Sequence, residues 1–83
     1  MSDFRLKVFL CVARNLSFTK ASQELYITQP AITKHIHELE SLYKVRLFER
    51  LGNKIALTPA GVLLQEHSKR IMSGYKQLDY EMH

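Results

Sequence analysis

The chain has 83 residues, a formal net charge of +4 and one cysteine. A chain of this length forms one domain that buries only about 60 to 65 per cent of its unfolded surface, so a partner subunit would add stability. The single cysteine excludes an intramolecular disulfide, and the apolar neighbours of Cys11 predict a small buried side chain rather than a nucleophile.

Charge and hydropathy restrict the location and the partners. The N-terminus carries Asp3, Arg5 and Lys7, and no apolar run approaches the ~18 residues of a membrane span, so we expect a cytoplasmic protein without a leader. Residues 1–60 contain nine Lys/Arg and five Asp/Glu, whereas residues 61–83 contain three of each. The basic excess suits an anionic partner, although an ordinary basic surface would show the same charge.

Two helices are predicted at the start of the chain. The first runs from about Asp3 to Arg14, and its apolar residues recur at helical spacing on a core face: Phe4, Val8, Phe9, Val12 and Ala13. Ser17 can cap a second, short helix that ends at Leu25, because its hydroxyl can accept a free amide of the first turn. Phe18, Ala21 and Leu25 of that helix are expected to point inward.

A third helix is predicted over about residues 29–42. Thr28 can cap it, and Pro30 falls in the first turn, where a missing amide proton has no intrahelical partner to lose. Only three residues separate it from the second helix. This spacing is typical of a helix-turn-helix, which lays its second helix in the DNA major groove, but any corner between two helices would share it.

The second half of the chain predicts a hairpin and a long helix. Two short apolar segments within residues 45–56 flank a Gly-Asn tip, as in the β-hairpin wing of a winged helix-turn-helix. A last helix from Pro59 to about Met82 would be about 36 Å long at 1.5 Å per residue. We therefore predict a mainly α fold, with a winged helix-turn-helix in residues 1–58 and a linker and dimerisation helix in residues 59–83.

An apolar stripe follows the last helix at alternating steps of four and three residues, the spacing of a coiled-coil seam. It contains Leu64, Ile71, Tyr75, Leu78 and Met82, with Ser68 between the first two. Only the first turns are expected to pack on the domain itself. The stripe predicts a homodimer rather than a helix folded back on its own domain, because so long an exposed stripe would make a monomer poorly soluble.

Catalysis has no support in the sequence. His35 and His37 lie two positions apart on a helix and point about 200° apart, so they cannot share a metal ion. No nucleophile and base are paired, no glycine-rich phosphate loop is present, and the chain is too short for a closed active-site pocket. We predict that the protein is not an enzyme and that it uses no metal and no cofactor.

The third helix carries a polar strip opposite Ile32, Ile36 and Leu39. The strip consists of Gln29, Thr33, Lys34 and His37. Gln can bond an adenine edge, Thr can meet a base, a phosphate or a thymine methyl, and Lys can donate to guanine. The helix N-terminus also attracts phosphate through its free amides. Alternatively, the strip is an ordinary solvated helix face without a ligand. The turn, the hairpin and the basic excess together favour DNA binding over this alternative.

Together these residues resemble the N-terminal DNA-binding domain of LysR-type transcriptional regulators over essentially the whole chain. The most specific matches are Ser17-Phe18-Thr19, Thr28-Gln29-Pro30-Ala31, Leu39-Glu40, Leu47-Phe48-Glu49-Arg50 and Leu57-Thr58-Pro59-Ala60-Gly61. The resemblance implies a bacterial regulator that binds a double-stranded DNA operator at the nucleoid, dimerises through its linker helix and often forms a tetramer at full length. It also implies a larger domain for a small-molecule effector, which is absent here, so we expect a fragment of a longer regulator.

The resemblance also implies roles for individual residues. Expected contacts in the major groove come from Gln29, Pro30, Thr33 and Lys34. Expected contacts to the DNA backbone come from Thr19, Thr28, His37 and Arg50. The wing, near residues 51–54, would bring Asn53 and Lys54 to the minor groove.

Three positions depart from the family pattern. Thr33-Lys34 stands where Ser-Arg is usual, so a point charge replaces a bidentate guanidinium and guanine reading is expected to weaken. Tyr43-Lys44 replaces a common Leu-Gly, which removes the usual glycine from the end of the third helix. Asn53 replaces a frequent arginine, and Lys54 is the residue that could supply the missing charge.

Two alternatives stay open at this point. In the first, the helix-turn-helix is vestigial and the chain is a protein-interaction module, which would self-associate without binding DNA. In the second, the domain is a winged helix from an unrelated repressor family, which the Leu57–Gly61 match disfavours. Ultracentrifugation beside a duplex-binding titration separates the first alternative from a DNA-binding domain.

Overall fold

The computed structural model describes residues 3–83, which form four helices and a two-stranded sheet. The elements in chain order are α1 (Phe4–Asn15), α2 (Phe18–Leu25), α3 (Gln29–Tyr43), β1 (Phe48–Leu51), β2 (Lys54–Leu57) and α4 (Pro59–Met82). This order confirms the predicted mainly α winged helix-turn-helix with a long last helix. None of the helices in the described part of the chain is long and apolar enough to span a membrane.

Every helix begins at a residue whose side chain caps it. The oxygen atoms of four capping side chains accept a hydrogen bond from a backbone amide of the first turn: Asp3, Ser17, Thr28 and Thr58. α3 and α4 each carry a proline in the first turn, as expected. The two predicted caps, Ser17 and Thr28, are confirmed. α1 begins one residue later than predicted because Asp3 is its cap.

The first three helices end in the left-handed region without a glycine. Leu16, Tyr26 and Lys44 have φ values of 48°, 55° and 56°. Such a conformation costs an L-residue roughly 1 to 2 kcal/mol. At the end of α3 the amide of Lys44 still donates to the Glu40 carbonyl, which is the bond a terminal glycine would make. The missing glycine therefore leaves a normal helix end.

Helices α1, α2 and α3 enclose one apolar core. Its fully buried side chains include Val8, Phe9, Val12, Ala21, Ile32, Ile36, Leu39 and Leu47. Phe18 and Leu25 are partly buried against it, as predicted. The prediction for Phe4 is wrong, since this side chain is 41% exposed and Leu6 is buried instead. Phe4 is the first residue of α1, where it makes a T-shaped contact with the His35 ring, with the ring centroids 5.4 Å apart.

Cys11 is a buried side chain, as the sequence indicates. Its sulfur lies 3.3 Å from a carboxylate oxygen of Glu24, which forms an ion pair with Arg14. Burial raises the pKa of the Cys11 thiol, and the Glu24 carboxylate raises it further. The sulfur is therefore a protonated thiol at neutral pH, the form that suits a packing role rather than a nucleophile.

The wing is a short antiparallel hairpin fastened to the core at its base. Phe48 pairs with Leu57 and Leu51 pairs with Lys54, so residues 52–53 form the turn, with Gly52 at a φ of 64°. The ring of the buried Phe48 lies 5.6 Å from that of Phe9, and a similar contact joins it to Phe18. The base of the hairpin is thus part of the core, while its tip is exposed.

Helix α4 starts against the segment that leads into the wing. Thr58 uses its hydroxyl to accept from the Gly61 amide at 3.0 Å and to donate to the Arg46 carbonyl, while its own amide donates to the Leu47 carbonyl at 3.0 Å. A Cβ on Gly61 would lie 2.3 Å from the Leu47 carbonyl oxygen. Gly61 is therefore required for the close approach of α4 to the peptide of Leu47.

Only the first turns of α4 pack on the domain, as predicted. Leu64 lies partly buried against the core, and Ser68 is fully buried with no partner for its hydroxyl among the described residues. Farther along, Ile71, Leu78 and Met82 are exposed, and Tyr75 is half-buried. The apolar stripe thus continues beyond the part of α4 that the domain covers.

Candidate nucleic-acid interface

A groove of about 620 Å³ lies between α3, the start of α2 and the hairpin. Its walls include residues from three separate stretches of sequence that were predicted to meet DNA: Thr19, Gln29, Thr33, His37, Arg50, Asn53 and Lys54. The fold brings these stretches together because Phe48, at the base of the hairpin, packs on both α1 and α2 through ring contacts.

The four residues predicted to read bases share one face of α3. Gln29, Pro30, Thr33 and Lys34 line a second, open concavity on the outer side of the helix, together with His37. Four of these side chains are exposed and Thr33 is half-buried. Because Ile32, Ile36 and Leu39 anchor the opposite side, the polar strip has a defined direction away from the core.

Thr28 has a structural task at this interface. Its hydroxyl accepts from the Ala31 amide at 3.2 Å and so fixes the start of α3. The residue is exposed but lines neither of the two concavities. The cap thereby sets where the side chain of Gln29 leaves the helix.

Several cations near the groove have no acidic partner among the residues that the structure describes. Within residues 3–83, Lys34, Arg50 and Lys54 form no ion pair. The four ion pairs of this part of the chain join Arg5 to Asp3, Arg14 to Glu24, His35 to Glu38 and Arg46 to Glu40. An exposed cation without a partner can neutralise a phosphate and release a counterion. The charge of this face therefore suits a polyanion.

The sequence interpretation missed Arg46, which also lines the groove. Its side chain is 80% exposed, and its Nε lies 3.6 Å from an oxygen of Glu40. The same oxygen accepts from the Leu47 amide at 2.9 Å. Arg46 counted in the basic excess, but it lies in the loop between α3 and β1, where no periodicity indicates which way a side chain points.

The two histidines of α3 have different surroundings. His35 is half-buried, with Nδ1 3.2 Å from a Glu38 oxygen and its ring against Phe4, while His37 is exposed beside the groove. Across the described residues, no three His, Cys, Asp or Glu side chains are arranged to hold a metal ion. His37 is thus the histidine placed to meet a ligand in the groove.

Comparison with known proteins decides the family. The family model described as bacterial regulatory helix-turn-helix protein, lysR family, matches residues 4–62. The chain belongs to the LysR family. It is 39% identical over 75 residues to the HTH-type transcriptional regulator CfxR of Cupriavidus necator, a match that covers 90% of this chain and 24% of CfxR. The chain spans about a quarter of the length of such curated relatives.

Solved structures of LysR regulators have the same fold. A LysR-family regulator from Eggerthella lenta is 48% identical, with a TM-score of 0.76 and coverage of 81% of this chain and 96% of that one. The DNA-binding domain of BenM in complex with catB site 1 DNA is 29% identical, with a TM-score of 0.92 and coverage of 99% and 91%. These matches confirm a regulatory helix-turn-helix domain of the LysR family and agree with the prediction that it is not an enzyme.

The three positions at which this chain departs from the usual LysR pattern can be located in the structure. Lys34, in place of the usual arginine, is exposed on the outer side of α3. Asn53 and Lys54 both lie at the exposed hairpin tip and both line the groove. Lys44 ends α3 in the left-handed conformation. Two of the three departures therefore change groups on the polar surface, and the third leaves the helix end intact.

Proposed function

We propose that this chain is the sequence-specific DNA-binding domain of a bacterial LysR-type transcriptional regulator. The observation that carries the proposal is the groove in which α3, the start of α2 and the wing present polar side chains and unpaired cations together. A B-DNA major groove about 12 Å wide admits a helix of this kind. α3 would enter the major groove, with the hairpin tip at the adjacent minor groove.

Individual roles follow from position and chemistry. Gln29, Pro30, Thr33 and Lys34 would meet base edges in the major groove, since they lie together on the outer face of α3. The DNA backbone would be contacted by Thr28, His37 and Arg50, and by Thr19 unless its hydroxyl is engaged by Gln29, to which it donates in the free chain. At the tip of the wing, Asn53 and Lys54 would approach the minor groove, with Lys54 supplying the charge.

Residues 59–83 would act as a linker that pairs two copies of the domain. The apolar stripe beyond Ser68 supports a homodimer, because Ile71, Leu78 and Met82 are exposed in the single chain. A two-fold dimer would place two recognition helices on successive turns of an operator. In a longer protein, further domains would bind a small-molecule effector and assemble a tetramer, and the regulator would act at the nucleoid of a bacterial cytoplasm.

Replacing Gln29 or Lys34 with alanine should weaken binding to the preferred duplex by about 1 to 3 kcal/mol if each side chain reads a base. The preferred duplex is selected from a random pool with the unmutated chain, and affinities are measured by fluorescence anisotropy at one salt concentration. Gln23→Ala is the control, because Gln23 is exposed on α2 and lines neither concavity. An equal loss of affinity for selected and random duplexes would show that these side chains contact the DNA backbone rather than the bases.

Arg46→Gln should weaken all duplexes alike and make binding less sensitive to salt. If Arg46 meets one phosphate, the slope of log K against log[salt] should fall in magnitude by about 0.9. Lys7→Gln removes the same charge from an exposed residue of α1 that does not line the groove, so its slope should stay unchanged. The same slope for both variants would show that Arg46 contributes only net charge.

The whole proposal fails if the chain binds no duplex at low salt, or if binding is insensitive to salt. Self-association without any duplex binding would instead support a protein-interaction module. The two results are separated by running sedimentation velocity on the same sample with and without DNA.

A further inference from the structure

We infer that Thr19 is a positioning residue that orients the amide of Gln29 so that its NH2 group, rather than its oxygen, faces the DNA bases. This inference rests on the proposed function and deepens it. It assigns Thr19 a task in base selection, in place of the backbone contact predicted from sequence, and it names the class of base edge that Gln29 reads.

The contact that carries the inference crosses the turn between the two helices. The Thr19 hydroxyl donates to Oε1 of Gln29 at 3.2 Å. Thr19 lies in the first turn of α2, and Gln29 is the first residue of α3. Both side chains line the groove between the helices and the wing. The bond thus links side chains in the first turns of the two helices directly.

The ends of this link are held by the backbone around them. Ser22 donates its hydroxyl to the Thr19 carbonyl at 2.7 Å, and Ser17 accepts from the Lys20 amide at 3.0 Å, so the first turn of α2 is fixed on both sides. Thr28 caps α3 directly before Gln29. The backbone positions of Thr19 and Gln29 are therefore fixed, and the torsions of their two side chains are the freedom that remains.

The two ends of a glutamine amide have opposite hydrogen-bonding roles. When Oε1 accepts from Thr19, the Nε2 protons remain to donate to the ligand. In the major groove they would find acceptors at guanine N7 and O6, adenine N7 and thymine O4. The bidentate contact to adenine also presents Nε2 to an acceptor, N7, while the second lone pair of Oε1 accepts from the adenine N6 amino group. The edge that the oriented amide does not fit is the donor edge of cytosine, where only the N4 amino group is offered. The inferred preference is therefore for an acceptor edge.

The strength of the preference for an acceptor edge depends on whether water reaches the bond between Thr19 and Gln29. Both side chains are exposed in the free protein, where water competes for the bond and the amide can turn at little cost. Bound DNA would cover the groove and exclude that water, so leaving Oε1 or the Thr19 hydroxyl without a partner would become costly. The bond should therefore act as a selector in the complex more than as a stabiliser of the free fold.

The test is a double-mutant cycle between Thr19→Val and Gln29→Ala on duplexes that carry each base pair in turn at the position read by Gln29. That position is identified as the one where Gln29→Ala loses discrimination. Valine keeps the β-branched shape and removes the hydroxyl. We expect Thr19→Val to reduce discrimination there by roughly fivefold, and to change nothing further in the Gln29→Ala background.

Thr19→Ser is the matched control, because it keeps the hydroxyl and should retain most of the discrimination. Thermal unfolding of the three variants checks that the fold is unchanged. An equal loss on every duplex, with the same size in the Gln29→Ala background, would overturn the inference and return Thr19 to a phosphate contact. If the unmutated chain binds no duplex, the proposed function fails as well, whereas selective binding with an additive cycle overturns the inference alone.

Discussion

Replacing Gly61 with alanine is expected to destabilise the fold by about 3 kcal/mol, at the upper end of the usual cost of overpacking. The added Cβ would lie 2.3 Å from the Leu47 carbonyl oxygen and 2.9 Å from Cδ2 of Leu57. The oxygen cannot yield easily, because it belongs to the backbone and accepts from the Thr58 amide. The hairpin and α4 would have to separate. Urea denaturation followed by circular dichroism gives the free energy of unfolding.

The same helix supplies a matched control for this substitution. Gly74 also lies within α4, and nothing comes within 4 Å of a Cβ built on it. Gly74→Ala should therefore stabilise the chain by up to roughly 1 kcal/mol, through helix propensity alone. The two variants move in opposite directions, and a shift of the same sign and size in both would contradict a steric role for Gly61.

Ile71→Asp is expected to dissociate the proposed dimer. The side chain is 43% exposed in the single chain, so a carboxylate there costs the monomer little. Between two paired helices it would be buried without a partner, which typically costs 3 to 5 kcal/mol. Such a loss raises the dissociation constant of the dimer at least about 100-fold. Sedimentation equilibrium over a concentration series measures it directly.

Ser73→Asp is the control for this prediction. Ser73 is exposed on the same helix, two positions from Ile71 and outside the apolar stripe. An aspartate at this position adds the same charge away from the proposed seam. The dimer should survive this change. An Ile71→Asp chain that remained dimeric would show that the stripe had been assigned to the wrong face, while dissociation by both variants would point to net charge.

The starts of the elements could be predicted from sequence because their causes are local. Ser17, Thr28 and Thr58 each accept a bond from a backbone amide within three residues, so the cap and its partner lie in one short stretch. The polar face of α3 could also be predicted, since helical periodicity places Gln29 and Thr33 on the same side of the helix. The hairpin and the long helix also followed from local patterns, and the family resemblance added the role of that helix as a linker between two domains.

The features that could not be predicted depend on contacts distant in sequence or on unusual backbone. Lys44 adopts the left-handed conformation that is usual for glycine. Phe4 stays 41% exposed because the His35 ring of α3 covers it only in part. The bond from Thr19 to Gln29 spans ten residues, and the pairing of Arg46 with Glu40 involves an irregular loop. Neither contact follows from a periodic pattern in the sequence, so the contacts inside the groove proposed to bind DNA could be seen only in the structure.

Thr58 has a mechanical consequence for the proposed regulator. One residue caps α4 and holds the two peptides that lead into the wing. A helix of 24 residues is a lever arm of about 36 Å. Torque applied to its far end by the rest of a longer protein would reach the base of the hairpin through Thr58 and through the first turns of α4, which pack on the domain. A change in the angle between two such arms would therefore tilt both hairpin tips relative to the duplex.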